Sequence, residues 1–192
     1  MSATSSNQSE EPLMNNSQSV LQKHVAFFDR NKDGVIYPCE TFKGLRAIGH
    51  GTATSLVTAL LINVVFSGKT RPGKFPSLLF PIEVKNIAGG KHTTDTGVYD
   101  AEGNFDPVKF EEIFQKHSKA HANALTSDEL WDLLKANRAP NDFFNWFINW
   151  TEWKFLLYPV AKDKNGLLQK ETIRGLYTGD LFYQLEQERA HK

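Results

Sequence analysis

Residues 1–18 are mostly Ser, Asn, Gln and Glu with almost nothing to bury, so this tail is expected to lie outside the fold. At Ser19 the pattern changes. Val20, Leu21, His24, Val25, Phe27 and Phe28 recur at helical spacing and predict an amphipathic helix that runs into an acidic loop. Between Arg46 and Lys69 there is no formally charged residue. As a helix rising ~1.5 Å per residue, that interval approaches the ~30 Å of a bilayer core. Gly49, His50, Gly51, Thr52, Ser55 and Asn63 dilute it, leaving a dense apolar stretch only from Leu56 to Phe66. Insertion into one leaflet is therefore favoured over a span, and a buried core helix is the competing reading.

Pro72, Pro76 and Pro81 then punctuate an apolar Phe-Pro-Ser-Leu-Leu-Phe segment. Missing backbone donors make irregular chain less costly against lipid. The surface contacts expected are Leu56, Leu60, Leu61 and Phe66 with Pro72, Pro76 and Pro81, while Lys69, Arg71 and Lys74 snorkel to phosphate. In the carboxy-terminal half, Thr126-Ser-Asp-Glu129 before Leu130, Leu133 and Leu134 reads as a capping box. Phe143, Trp146, Phe147, Trp150, Trp153 and Leu157 form a stripe at helical spacing. Core packing is its first reading, with interfacial anchoring or the wall of an apolar ligand cavity as alternatives. The fold class predicted is mainly α, with only short β-bridges between loops. Its parts are the tail (1–18), a helix–loop–helix unit (19–48), the apolar segment with its prolines (49–82) and a helical region (83–192).

Composition narrows the function. The chain has 192 residues, with 22 basic against 22 acidic side chains, which disfavours a nucleic-acid partner. Cys39 is the single cysteine, so neither an internal disulfide nor a thiolate zinc cage is expected, and a reducing compartment fits. The amino terminus carries Glu10 and Glu11 where a secretory signal needs a basic start and an apolar run, so no signal peptide is expected. For the same reason the sequon Asn149-Trp-Thr151 is set aside.

The strongest chemical signal is Asp29-Arg-Asn-Lys-Asp-Gly-Val-Ile-Tyr-Pro-Cys-Glu40. It fits the twelve-residue calcium loop of an EF-hand. Asp29, Asn31 and Asp33 supply short oxygen side chains at positions one, three and five, and Gly34 makes the sharp turn at six. Val35 would offer its carbonyl, Tyr37 a water-mediated contact and Glu40 two oxygens. Pro38 suits the start of the exiting helix. Such loops usually pair through a short β-bridge, and Tyr99–Asp106 and Ala161–Leu168 are the two candidate partners. With their glycines at position six, neither has carboxylates at positions one and twelve, so both are read as structural.

Taken together these residues resemble the caleosins, the plant seed peroxygenases. The likeness rests on Leu-Gln-Lys-His24-Val-Ala-Phe-Phe-Asp-Arg-Asn-Lys-Asp-Gly leading to Tyr37-Pro, the "proline knot" from Pro72 to Pro81, Val84-Lys-Asn-Ile87 and Lys91-His92 before Asp95-Thr-Gly-Val-Tyr-Asp100. It continues through Leu125–Leu130 and Gly179-Asp-Leu-Phe182. Cys39, where the family's Trp is expected, and His50 depart from it. The resemblance implies an enzyme carrying haem b and Ca2+ on lipid droplets and endoplasmic reticulum, facing the cytosol. Its substrates would be a fatty acid hydroperoxide, reduced to the alcohol, and an unsaturated lipid that receives the oxygen. His24 and His92 align with the family's haem-associated histidines. The resemblance leaves two arrangements open, one histidine as ligand with the other as a distal group or both as ligands, with His24 favoured as ligand. A homo-oligomer is compatible with the sequence.

Two other functions compete: a non-catalytic calcium-dependent droplet coat, and a soluble calcium sensor that binds targets through the apolar helix. Phosphate-binding loops, nucleophile elbows and zinc-protease helices are absent from the sequence. His117 and His121 lack the further ligands a zinc site needs.

Overall fold

The computed structural model describes residues 18–91 and 95–191, so the polar tail up to Ser17 and the expected haem residue His92 lie outside the described residues. The fold is mainly helical, as expected. Its helices are α1 (Val20–Ala26), α2 (Pro38–Ala47), α3 (Thr52–Thr70), α4 (Pro107–His117), α5 (Ser127–Ala136), α6 (Phe143–Thr151), α7 (Tyr158–Ala161), α8 (Lys170–Thr178) and α9 (Asp180–Ala190). A 3-10 segment, Val84–Gly90, and a π-helical segment, Glu152–Leu157, join them. Strands β1 (Val35–Ile36), β2 (Ile82–Glu83), β3 (Ala124–Leu125) and β4 (Leu168–Gln169) form two antiparallel pairs.

Local chemistry sets these boundaries. Ser19 and Gln22 cap α1 reciprocally, and Thr126 and Glu129 cap α5 in the predicted box. Pro38 opens α2, where its missing N–H costs nothing. The larger core gathers Phe27, Leu45, Phe110, Leu125, Leu168 and Phe182, all 3% exposed or less, from both halves of the chain. A smaller cluster of Leu21, Ile36, Ile82, Val84 and Ile87 lies around the first strand pair.

The pairing of the first loop corrects the sequence reading. β1 pairs with β2, Val35 opposite Glu83 and Ile36 opposite Ile82, so the partner is the chain just after the prolines. Neither glycine-turn candidate takes that place. The Ala161–Leu168 turn leads into β4, which pairs with β3, and the Tyr99–Asp106 turn closes on itself through a Tyr99–Phe105 bridge. Two backbone partners are enough to bridge a strand pair, and residues 82–83 are delivered to β1 by α3 and the proline segment.

Helix α3 is apolar outside and polar inside. Ser55, Ala59, Asn63, Ser67 and Thr70 recur at helical spacing and are buried. Leu56, Val57, Leu60, Leu61 and Val64 face outward, between 46% and 64% exposed. A soluble amphipathic helix has the opposite arrangement. The small inner residues let α3 approach α2 and the 3-10 segment closely. Among the described residues, α3 is the one helix long and apolar enough to cross a membrane.

Two expectations about this region change. Phe66 is half-buried against the smaller core and Pro81 is buried, so neither belongs to the outward face, whereas Pro72, Pro76, Phe75, Leu78 and Leu79 do. Arg71, expected to reach outward, is half-buried and paired with Glu83, whereas Lys74, also paired with Glu83, stays exposed. The aromatic stripe also divides: Trp153 is buried, but Phe143 and Phe147 are 60% and 45% exposed. Its core reading therefore holds only at one end.

Candidate functional site

Two features bring the expected site residues together. The first is the turn between α1 and α2. Asp29 accepts the backbone N–H of Asp33 through Oδ1 (3.1 Å) and of Gly34 through Oδ2 (2.8 Å). Asn31 Oδ1 also accepts from Asp33 (3.1 Å), and Asp33 Oδ1 accepts from Val35 (2.8 Å). Gly34 turns at φ +83, a conformation that favours glycine. The result is a tight turn that holds three oxygen-bearing side chains in fixed order. Tyr37 lies at the entry to α2, and Cys39 is exposed.

Glu40 closes the turn by another route. Its Oε1 accepts from the N–H groups of Arg30 (3.1 Å) and Asn31 (3.3 Å), and its Oε2 from Tyr37 (3.0 Å). Among the described residues no three of His, Cys, Asp and Glu converge as a ready metal-binding group. The donor chemistry nevertheless fits a hard cation, because all the side-chain donors are oxygens around a glycine turn. Glu40 would exchange backbone N–H partners for the ion.

The second feature is a largely apolar cavity of about 280 Å³, with walls from α1, α3, α8 and the π-helical segment. His24 lines it. Its Nδ1 lies 2.7 Å from the Leu176 carbonyl oxygen. A carbonyl only accepts, so Nδ1 carries the proton and Nε2 keeps its lone pair. Burial lowers the His24 pKa to about 4, which keeps the ring neutral. The ring also packs edge-on against Phe182, 5.0 Å between centroids. Although His24 lies deep in the protein it retains accessible surface, which faces the cavity it lines.

Glycine at the α8–α9 junction makes this position attainable. Gly179 has φ +85, and a Cβ there would lie 2.8 Å from the His24 Cα. Only a residue without a side chain lets the junction sit so close to α1. An oriented, neutral imidazole whose Nε2 carries a lone pair in an apolar cavity fits the donor requirement of a haem iron.

Sequence reasoning missed the rest of the cavity's polar wall. Glu152, Asp95, Thr96, Tyr99 and Tyr177 all line it. Thr96 Oγ1 and the Tyr177 hydroxyl share a hydrogen bond (2.8 Å), and the Tyr99 hydroxyl donates to the Tyr177 carbonyl (2.6 Å). Glu152 had one legible signal, as a lone carboxylate between Trp150 and Trp153 in an aromatic run. His50 is 7% exposed in the same wall, and its Nε2 has no hydrogen-bond partner among the described residues.

The cavity mouth carries Leu61 and Phe155, each 54% exposed. The fold is thus a small helical one in which an imidazole lines an apolar cavity beside a helix whose apolar side chains face outward. The caleosin family, described as caleosin related protein, matches residues 16–186, and the chain belongs to that family. It is 58% identical over 172 residues to "Probable peroxygenase 4" of Arabidopsis thaliana, covering 90% of this chain and 88% of the relative. It is 48% identical to "Peroxygenase" of Lilium longiflorum, over 91% of this chain and 72% of that protein. It is also 44% identical to a "Probable inactive peroxygenase-like protein" of Arabidopsis thaliana, over 77% of this chain and 70% of the relative. No solved structure gives a significant match.

Proposed function

We propose that the chain is a calcium-binding haem peroxygenase that takes oxygen from a fatty acid hydroperoxide and gives it to an unsaturated lipid, at the surface of lipid droplets and endoplasmic reticulum. Its likeness to two proteins named peroxygenase supports the activity. The observation that carries the reading is His24, whose unprotonated Nε2 sits in an apolar cavity while Leu176 fixes its tautomer.

His24 would hold haem b through Nε2, and His92 is the second haem-associated residue. Bound haem would supply the two-electron redox chemistry for oxygen transfer. The chain's own part is to exclude water, orient the imidazole and admit lipid through a mouth framed by Leu61 and Phe155. Leu56, Leu60 and Leu61 with Phe75, Leu78 and Leu79 would seat the protein on the lipid surface, with α3 lying in one leaflet.

Asp29, Asn31, Asp33, Val35, Tyr37 and Glu40 would hold Ca2+ in an EF-hand loop. His24 lies five residues before Asp29 on the short helix α1, so an ion that stiffens the loop would also stiffen the imidazole's mount.

The direct test is the absorption spectrum of detergent-purified protein reconstituted with haem and Ca2+, beside His24→Val and His92→Val. A stoichiometric Soret band, lost or shifted in the variants, is expected. A wild-type chain that takes up no haem would instead favour a calcium-dependent droplet coat. That second reading draws on the relative named inactive and on the outward apolar face of α3.

A further inference from the structure

Glu152 heads the π-helical segment between α6 and α7. A π turn within a helical run is rare and frequently marks a functional position. The carboxyl lies deep in the protein yet keeps accessible surface, and it lines the same cavity as His24. Across the same wall stand Asp95, Tyr99 and Tyr177, with Lys91 and His50 also lining the cavity. Lys91 is engaged by the carbonyl oxygens of Tyr99 (2.6 Å) and Asp100 (2.5 Å). Burial, reinforced by the neighbouring carboxyls, keeps both tyrosine hydroxyls protonated far above neutrality.

We propose that Glu152 is the proton-transferring residue of the cavity, taking the proton of a bound lipid hydroperoxide and returning it to the departing oxygen. This rests on the peroxygenase reading. Burial, with a smaller contribution from the Asp95 charge, raises the Glu152 pKa from 4.5 to about 7, so both of its forms are populated near neutrality.

The Glu152 carboxylate accepts the proton from the terminal oxygen of R–O–O–H. As the O–O bond breaks, its electron pair leaves with the inner oxygen, and Glu152 returns the proton there to give R–OH. The terminal oxygen, two electrons short, passes to the double bond of the second lipid and forms an epoxide. The hydroperoxide is reduced by two electrons and the alkene is oxidised by two.

The test uses the full chain reconstituted with haem, as wild type, Glu152→Gln and Glu152→Asp. The Soret band should be intact in all three. In Glu152→Gln, epoxide formation should fall about 10²- to 10⁴-fold, with partial recovery in Glu152→Asp. The remaining hydroperoxide products should shift from the intact alcohol towards ketone and chain-cleaved species, which mark homolysis.

A readout without turnover is the rate of cyanide binding to the ferric protein, because hydrogen cyanide must surrender its proton to bind. That rate should bend near neutral pH in wild type and lose the bend in Glu152→Gln. An unchanged cyanide profile and product ratio in a haem-replete Glu152→Gln protein overturns the proposal. If that variant does not fold, the wild-type profile decides, and one without a bend near neutrality rejects the role. Failure of wild type to take up haem is a separate result that removes the peroxygenase reading and this step together.

Discussion

Thr41 on α2 donates its hydroxyl to Asn63 Oδ1 on α3 at 2.7 Å, with both side chains sealed from solvent. The Asn63 amide nitrogen completes the junction by donating to the Ile36 carbonyl on β1 and the Phe80 carbonyl in the proline segment, both at 2.9 Å. One residue thereby ties the acidic turn, the outward apolar helix and the proline segment together. Phe80 also has φ +46, a left-handed conformation unfavourable for a bulky side chain, and the Asn63 bond helps hold it.

Asn63→Leu leaves the Ile36 and Phe80 carbonyls without the amide donor and the Thr41 hydroxyl with only its 3.4 Å contact to the Tyr37 carbonyl. A buried polar group left unsatisfied costs about 1–3 kcal/mol, and water entering the gap would offset part of the sum. A loss of about 3 kcal/mol in urea denaturation is expected. A stability within error of wild type would show that the three segments are not joined through this amide.

The Gly179 contact predicts a second effect. Gly179→Ala places a Cβ within 2.8 Å of the His24 Cα at φ +85. The left-handed backbone alone costs about 1–2 kcal/mol for a residue with a side chain. Because the clash falls on α1 at the imidazole, haem retention should drop as well as thermal stability. Gly73→Ala, at φ +73 in open space on the proline segment, is the control for strain without displacement of His24.

Much of the architecture was legible because it depends on local chemistry. The Thr126–Glu129 capping box, Pro38 at the start of α2 and the oxygen-rich turn all follow from residues within a few positions of one another. What was not legible depends on distant segments meeting. The partner of β1 lies beyond α3, and no periodicity announces that Ile82 will face Ile36. The orientation of α3 could not be read from its composition, because Ser55, Asn63 and Thr70 look like dilution until they form one buried stripe. His24 was singled out by resemblance, and only the Leu176 carbonyl, 152 residues away, gives it a defined tautomer. Glu152 stayed hidden for the same reason, since its partners come from Asp95 and Tyr177.

In protein without bound haem, His24 and Glu152 should pull stability in opposite directions with pH. The folded-state pKa of His24 is lowered from 6.5 to about 4, so its contribution is present above 6.5 and is lost as pH falls towards 4. The Glu152 pKa is raised from 4.5 to about 7, so its contribution is present below 4.5 and is lost as pH rises towards 7. Each span corresponds to about 3 kcal/mol, and the two largely cancel where they overlap. His24→Leu should therefore gain stability on mild acidification relative to wild type, and Glu152→Gln should lose it. Urea midpoints followed across that range check this, and curves parallel to wild type in both variants would contradict it.

Glu40→Gln tests whether the acidic turn and the histidine cavity are coupled. The substitution keeps one acceptor oxygen for the N–H groups of Arg30, Asn31 and Tyr37 but removes the charge that a bidentate calcium ligand supplies. Calcium affinity by calorimetry should fall at least tenfold. In wild type, Ca2+ at 100 times its Kd should stabilise the fold by about 2.7 kcal/mol, and the variant should lose most of that increment. If α1 transmits the effect, haem occupancy falls in parallel. Weakened calcium binding with full haem occupancy would mean that the two sites work independently.

The outward face of α3 provides the test of lipid contact. Leu56 and Leu60 lie one turn apart and are 64% and 51% exposed, so Lys at either position should leave the buried Ser55–Asn63 stripe untouched. Against lipid each Lys costs up to about 3 kcal/mol, less where the ammonium snorkels to the surface. The double variant should fold like wild type by circular dichroism but fail to float with artificial lipid droplets. Ser55→Leu should behave in the opposite way, because it keeps the apolar face and forces bulk into a position that is 0% exposed. It should lose thermal stability first, and whatever remains folded should still float. If the Lys variant floats as well as wild type, α3 is not the lipid contact, and the exposed Phe143, Phe144 and Phe147 on α6 become the surface to test.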